Sequence, residues 1–182
     1  MPGVLHVCTA NRCRSAFAER LMRSLLPGDV PVTSAGTRAR PGEPIWPEAA
    51  TALERRGISA LGFAAHPVEA ALVRGADLVL TATRAHRDEV VAAWPVAARR
   101  TFTWRELAWL LEGLSPHDVP AGTSAQRLAA LPGLAARRHG RAQAPPPQWM
   151  DIDDPVDGPP GAVEVAADQI EQALRPVVAL LG

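Results

Sequence analysis

The sequence predicts an α/β domain: a small, doubly wound parallel sheet of four strands with helices on both faces. Short apolar runs alternate with longer segments whose apolar residues recur at helical spacing, the pattern of strand–helix–strand units. The first run also leads through a turn-like segment straight into a helix, as a buried parallel strand does.

In chain order, Val4 to Val7 is the first apolar run and the first strand. From Ser15 onward Phe17, Leu21, Met22 and Leu25 fall on one helical face, and Pro27-Gly28 ends the helix. Val30 to Ser34 reads as a second strand, followed by the turn-prone Ala35-Gly36-Thr37. Pro47 to Arg56 is a helix with Pro47 in its first turn and Gly57 just beyond its end. Pro67 to Arg74 is a short helix, and Ala76 to Thr81 is the clearest strand of the chain. Thr83 caps a helix from Arg84 to Ala93 that stops at Trp94-Pro95. Arg100 to Phe102 forms the fourth strand and Trp104 to Glu112 the next helix. The stretch 113–147 is rich in Pro, Gly, Ala and Ser. Its middle, Ser124 to Arg138, suits a helix, whereas Pro145-Pro146-Pro147 does not. It reads as an excursion within a single domain covering 1–182. The last helix runs from Val163 to Leu181, with Pro176 kinking or tightening it near the end.

Composition narrows the function. The 182 residues are 47% hydrophobic and 21% charged, with a formal net charge of zero. Nothing global draws the chain to nucleic acid or to an anionic membrane, so attraction for an anion must be local. All 19 cationic residues are Arg. Without Lys, Schiff-base chemistry and a Walker-type phosphate lysine are excluded. Two cysteines, Cys8 and Cys13, are too few for a disulfide framework and suggest a reducing compartment. The first residues lack a basic segment followed by a signal-type apolar run, and no apolar stretch reaches bilayer length. The expectation is a cytoplasmic enzyme. His66, His86, His117 and His139 lack metal-ligand spacing and receive no role, and His6, on the first strand, reads as a packed core residue. No metal and no cofactor is called for.

The chemistry concentrates in Cys8-Thr9-Ala10-Asn11-Arg12-Cys13-Arg14-Ser15, a Cys-x5-Arg-Ser loop between a strand and a helix. Backbone N–H groups opening a helix make an anion nest. A cysteine in that nest beside arginine favours the thiolate, a competent nucleophile. Arg14 can clamp phosphoryl oxygens with its planar fork, a task lysine performs less well. Ser15 is placed to donate to the Cys8 sulfur. Asn11 tolerates the left-handed backbone that such a loop needs. Far downstream, Asp151, Asp153, Asp154 and Asp157 crowd one short segment, and spacing alone does not choose among them.

The segment Val4 to Ser15 resembles the signature of the low-molecular-weight protein tyrosine phosphatases. Thr33-Ser34-Ala35-Gly36-Thr37, Ala76 to Leu80 and Asp153-Asp154-Pro155 fit the same family, with the weakest match between Gly113 and Pro147. The resemblance implies Cys8 as nucleophile, Arg14 as phosphate clamp, and Thr9, Ala10, Asn11, Arg12, Cys13 and Ser15 as loop and thiolate supports. It selects Asp154, which Pro155 holds extended, as general acid and base. A phosphorylated protein or aryl phosphate is the implied substrate, and inorganic phosphate the product. Cys13 has two readings: a partner for a reversible disulfide with Cys8, as the resemblance implies, or a small residue filling the loop.

The chain departs from its family where substrate is gripped. Ala10 replaces a glycine and would be strained at positive φ. Ala16 replaces a proline. Arg40 stands near the position of an aromatic wall, and Val156-Asp157 replaces an aromatic pair. Trp46 and Trp149 are the candidate replacement walls. Two alternatives remain: an arsenate reductase using a small external thiol, and a weakly active phosphoprotein-binding module.

Overall fold

Four apolar runs pair in parallel in the order β2-β1-β3-β4. They are β1 (Val4–Cys8), β2 (Val32–Gly36), β3 (Leu78–Thr81) and β4 (Thr101–Thr103). The computed structural model describes residues 3–140 and 144–182. Met1, Pro2 and positions 141–143 of the Pro/Gly/Ala-rich excursion lie outside the described residues.

Seven α-helices connect and follow the strands among the described residues: α1 (Arg14–Leu25), α2 (Pro47–Glu54), α3 (Ala70–Gly75), α4 (Arg84–Ala93), α5 (Trp104–Leu111), α6 (Ser124–Arg138) and α7 (Ala162–Leu181). Side chains of a strand alternate between sheet faces, and the core divides accordingly. Val4, Leu78, Leu80 and Phe102 face α1, α5 and α7 through Phe17, Trp104, Leu107, Ile170 and Leu174. Leu5, Val7 and Val79 face α3 and α4 through Val73 and Val90. Each fully buried leucine of this kind contributes roughly 1.5–3 kcal/mol relative to exposure. Among the described residues, no helix is long and apolar enough to cross a membrane.

The largest departures from the sequence reading fall at the second strand and the third helix. The second strand starts at Val32 and runs through Gly36, two residues later than expected at each end. Val30 donates to Pro27 in a turn, and Pro31 has no N–H to give a ladder. Ala35 and Gly36, read as a turn, instead pair with Val7 and Cys8. The helix expected from Pro67 starts only at Ala70, because Pro67 bridges Gly36 and Val68 donates to the Gly36 carbonyl. The excursion holds α6, whose start carries a reciprocal cap between Thr123 and Gln126. Pro176 lies inside α7, which continues to Leu181.

Because all strands run the same way, Cys8, Gly36, Thr81 and Thr103 end on one sheet edge. Ligands of open parallel sheets bind along such carboxyl ends.

Candidate active site

Thr9 to Cys13 wrap around the start of α1. Cys13 occupies the N-cap without a side-chain cap bond, and no acidic residue stands in the first turn. The leading N–H groups and the positive end of the helix dipole are therefore open to an anion.

Asn11 holds the loop. It is fully buried, adopts a left-handed backbone with φ 57°, and uses both ends of its amide. Nδ2 donates to Ser15 Oγ at 2.9 Å and to Ser34 Oγ at 2.7 Å, and Oδ1 accepts the His66 N–H at 2.8 Å. Ser34 donates onward to Glu19 at 2.6 Å. With Asn11 donating to it, Ser15 can turn its own hydrogen to the Cys8 sulfur 2.9 Å away, the Ala35 carbonyl being a longer acceptor at 3.4 Å. The strain expected at Ala10 does not arise, since Asn11 is the left-handed residue of the loop.

Arg14 is buried beneath this loop with a side chain only 3% exposed. Nη1 donates to the Ile152 carbonyl at 2.9 Å, while Nη2 contacts Asp154 Oδ2. Its Nε is buried with no hydrogen-bond partner. A buried donor left unpaired is costly, and an oxyanion at the loop would satisfy it.

The aspartates separate by partner. Asp151 accepts the Arg84 N–H at 2.7 Å and the Arg84 guanidinium at 3.0 Å, which ties it to the start of α4. Asp153 is exposed, and Asp157 sits at φ 66° beside an open groove of about 430 Å³ between Trp46 and the segment Pro155–Glu164. Asp154 alone of the four pairs with Arg14. Ile152 anchors the segment by donating to the Ala82 carbonyl at 2.9 Å, just beyond β3.

Arg12 and Trp46 form one side of the rim. The guanidinium of Arg12 lies 5.2 Å from the Trp46 ring, and Trp46 donates its N–H to the Arg12 carbonyl at 2.7 Å. Arg12 also donates to the Pro44 carbonyl at 2.9 Å and faces Glu43 at 3.5 Å. The chain after β2 is stitched to the loop, Thr37 and Arg38 donating to the carbonyls of Cys8 and Thr9. Arg40 follows it, exposed and without an ion pair among the described residues. Trp149 stacks on Arg105 at 5.3 Å, and no described hydrogen bond or stacking contact joins it to the loop. Cys13 is a free, buried thiol pushed up to about 12 by burial and then by the neighbouring Cys8. It borders a small cavity with Phe17, Ala49 and Ala166. Among the described residues no three His, Cys, Asp or Glu gather as metal ligands do.

Two histidines divide. His6 is the core residue expected, fully buried, accepting from the Trp104 indole at 2.9 Å and lowered by burial to about 3. His86, given no role by the sequence, touches the Cys8–Ser15 loop through Thr9. Its position three residues after the cap residue Thr83, past the end of a parallel strand, was the available signal.

The sequence profile described as "Low molecular weight phosphotyrosine protein phosphatase" matches residues 3–109. The low molecular weight protein-tyrosine-phosphatase Etp of Escherichia coli K12 is 36% identical over 108 residues, 59% of this chain and 71% of that protein. The protein-arginine-phosphatase of Bacillus subtilis is 35% identical over 106 residues, 57% of this chain and 70% of that protein. Among solved structures, the YwlE arginine phosphatase from Geobacillus stearothermophilus superposes with a TM-score of 0.70 at 25% identity, covering 98% of this chain and 91% of its own. The loop, the sheet that carries it and these matches agree, and the chain belongs to the low molecular weight phosphotyrosine protein phosphatase family.

Proposed function

We propose that this chain is a metal-independent phosphatase that hydrolyses phosphotyrosyl protein through a phosphocysteine on Cys8, with Asp154 as general acid and base. The observation that carries the reading is the convergence on Arg14. Its guanidinium lies under the nucleophile loop, has a free Nε, and meets the Asp154 carboxylate. In the first step Cys8 Sγ attacks phosphorus and the bond to the leaving oxygen breaks, with Asp154 supplying that oxygen's proton. The Arg14 fork and the N–H groups opening α1 hold the equatorial oxygens as charge develops. In the second step Asp154 takes a proton from water, the water oxygen attacks phosphorus, and the P–S bond breaks to release inorganic phosphate. Ser15, at 2.9 Å, stabilises the departing thiolate.

The Trp46 ring with Arg12 offers a flat wall for an aromatic substrate. A second reading, phosphoarginine, is favoured by the Bacillus and Geobacillus relatives, whose names state arginine phosphatase. Residues 113–147 belong, in this reading, to the same phosphatase-like domain.

The test is hydrolysis of an aryl phosphate by wild type, Cys8→Ser and Asp154→Asn. Cys8→Ser should be inactive, and Asp154→Asn should lose about 10²–10⁴-fold in kcat. Wild-type turnover no faster than Cys8→Ser would sink the proposal. An unimpaired Asp154→Asn beside a crippled Asp151→Asn or Asp153→Asn would move the acid elsewhere. Comparing kcat/KM for phosphotyrosyl and phosphoarginyl peptides decides the substrate.

A further inference from the structure

The imidazole of His86 lies between two hydroxyl groups. Nδ1 is 2.7 Å from Thr83 Oγ1, and Nε2 is 2.9 Å from Thr9 Oγ1. Thr83 Oγ1 also accepts the His86 N–H at 3.3 Å as the cap of α4. Thr83 Oγ1 can direct its own hydrogen at Nδ1; in that arrangement the neutral ring carries its proton on Nε2 and Nε2 donates to Thr9. Thr9 Oγ1 receives Nη2 of Arg14 as a second donor, at 3.5 Å. Two donors engage both acceptor positions of that oxygen, so the Thr9 hydrogen is available to a bound anion.

We propose that His86 is a positioning residue of the phosphate loop: gripped by Thr83, it fixes Thr9, and Thr9 sets the Arg14 guanidinium and offers its own O–H to the phosphoryl group. The chain of contacts crosses the sheet. α4 packs on one face through Val90, whereas α1, which carries Arg14, packs on the other through Phe17. The phosphate clamp is thereby registered against an element that contributes no residue to the chemistry.

The arrangement needs a neutral ring. A protonated imidazole donates from both nitrogens and cannot accept from Thr83, so the direction of the chain would be lost. Burial, and then the facing Arg14, hold His86 down to about 4. The other charges facing it are Asp154 from the acid segment, Arg38 from the chain after β2, and Glu89 on its own helix. The carboxylates oppose the shift and do not overcome burial.

The inference deepens the phosphatase reading, and its test separates the two. Affinity for inorganic phosphate is measured by calorimetry at neutral pH, next to KM and kcat for an aryl phosphate. His86→Phe keeps volume and removes both ring nitrogens, and Thr9→Val keeps shape and removes the hydroxyl. Each should weaken phosphate binding and raise KM about fivefold to tenfold, with a smaller change in kcat. His86→Gln, whose amide nitrogen can reach the place of Nε2, should recover most of the affinity. The double variant should lose no more than the worse single one, because both break the same chain. Additive losses, unchanged phosphate affinity in His86→Phe, or a His86→Gln no better than His86→Phe would each overturn the proposal. A wild type that binds phosphate without hydrolysing its esters would overturn the phosphatase reading alone, and the binding series would still decide the role of His86.

Discussion

Asn11 and Ala10 are neighbours, and their backbones divide the demands of the loop. The tight turn needs one left-handed residue, and asparagine accepts that conformation at less cost than alanine. Asn11 takes it and turns its amide inward onto Ser15, Ser34 and the His66 N–H. At the same scale, His6 and His86 make stability depend on pH. Both are lowered from 6.5, to about 3 and about 4, chiefly by burial. Between those values and 6.5 the unfolded chain binds more protons than the folded one, so stability rises with pH through this window. The thermal midpoint should climb from pH 4.5 to 6.5, and His86→Gln should flatten the climb. A midpoint that fell over this range would contradict the assignment. That Cys8, Asn11, Arg14 and Ser15 gather at one loop was legible from the sequence because they lie within a single local motif. His86 was not, since its contact with Thr9 spans 77 positions and its place three residues after Thr83 signals only a helix start.

Among the elements, β2 is displaced from the sequence reading by two residues at both ends. Local turn propensity at Ala35-Gly36-Thr37 is real, but pairing with β1 overrides it as far as Gly36. There the small residue has a second use. A Cβ at Gly36 would come within 2.5 Å of the Thr9 carbonyl oxygen and 2.8 Å of the Asn11 nitrogen, both backbone atoms of the Cys8–Ser15 loop. Gly36→Ala should therefore displace the loop and cut kcat/KM for an aryl phosphate by at least about tenfold, with the fold retained. Circular dichroism beside steady-state kinetics checks this, and normal kinetics would refute it. The helices α4, α6 and α7 were readable because each carries its own cap or apolar face, as Thr83 and Thr123 show.

For the molecule as a whole, the sequence disclosed layers and class but not what fastens distant parts together. Arg56, just past α2, donates to Glu164, Asp168 and Glu171 along α7, and its guanidinium lies 5.3 Å from the Phe17 ring. Arg56→Ala should lower unfolding stability by about 2–3 kcal/mol in urea titration, since three carboxylates lose a common cation, and should leave KM unchanged. A loss of catalysis without a loss of stability would reverse that account. The contact between Arg14 and Asp154 has a different reach. A carboxylate of the chain itself rests on the guanidinium that would receive phosphate. Anion entry is then an exchange, and the observed affinity is the difference between two ligands of one cation. Asp154→Asn removes the resident competitor, so it should bind inorganic phosphate more tightly than wild type even as turnover falls. The acid segment is in this sense the site's own first inhibitor, one that a phosphate would have to displace in order to bind.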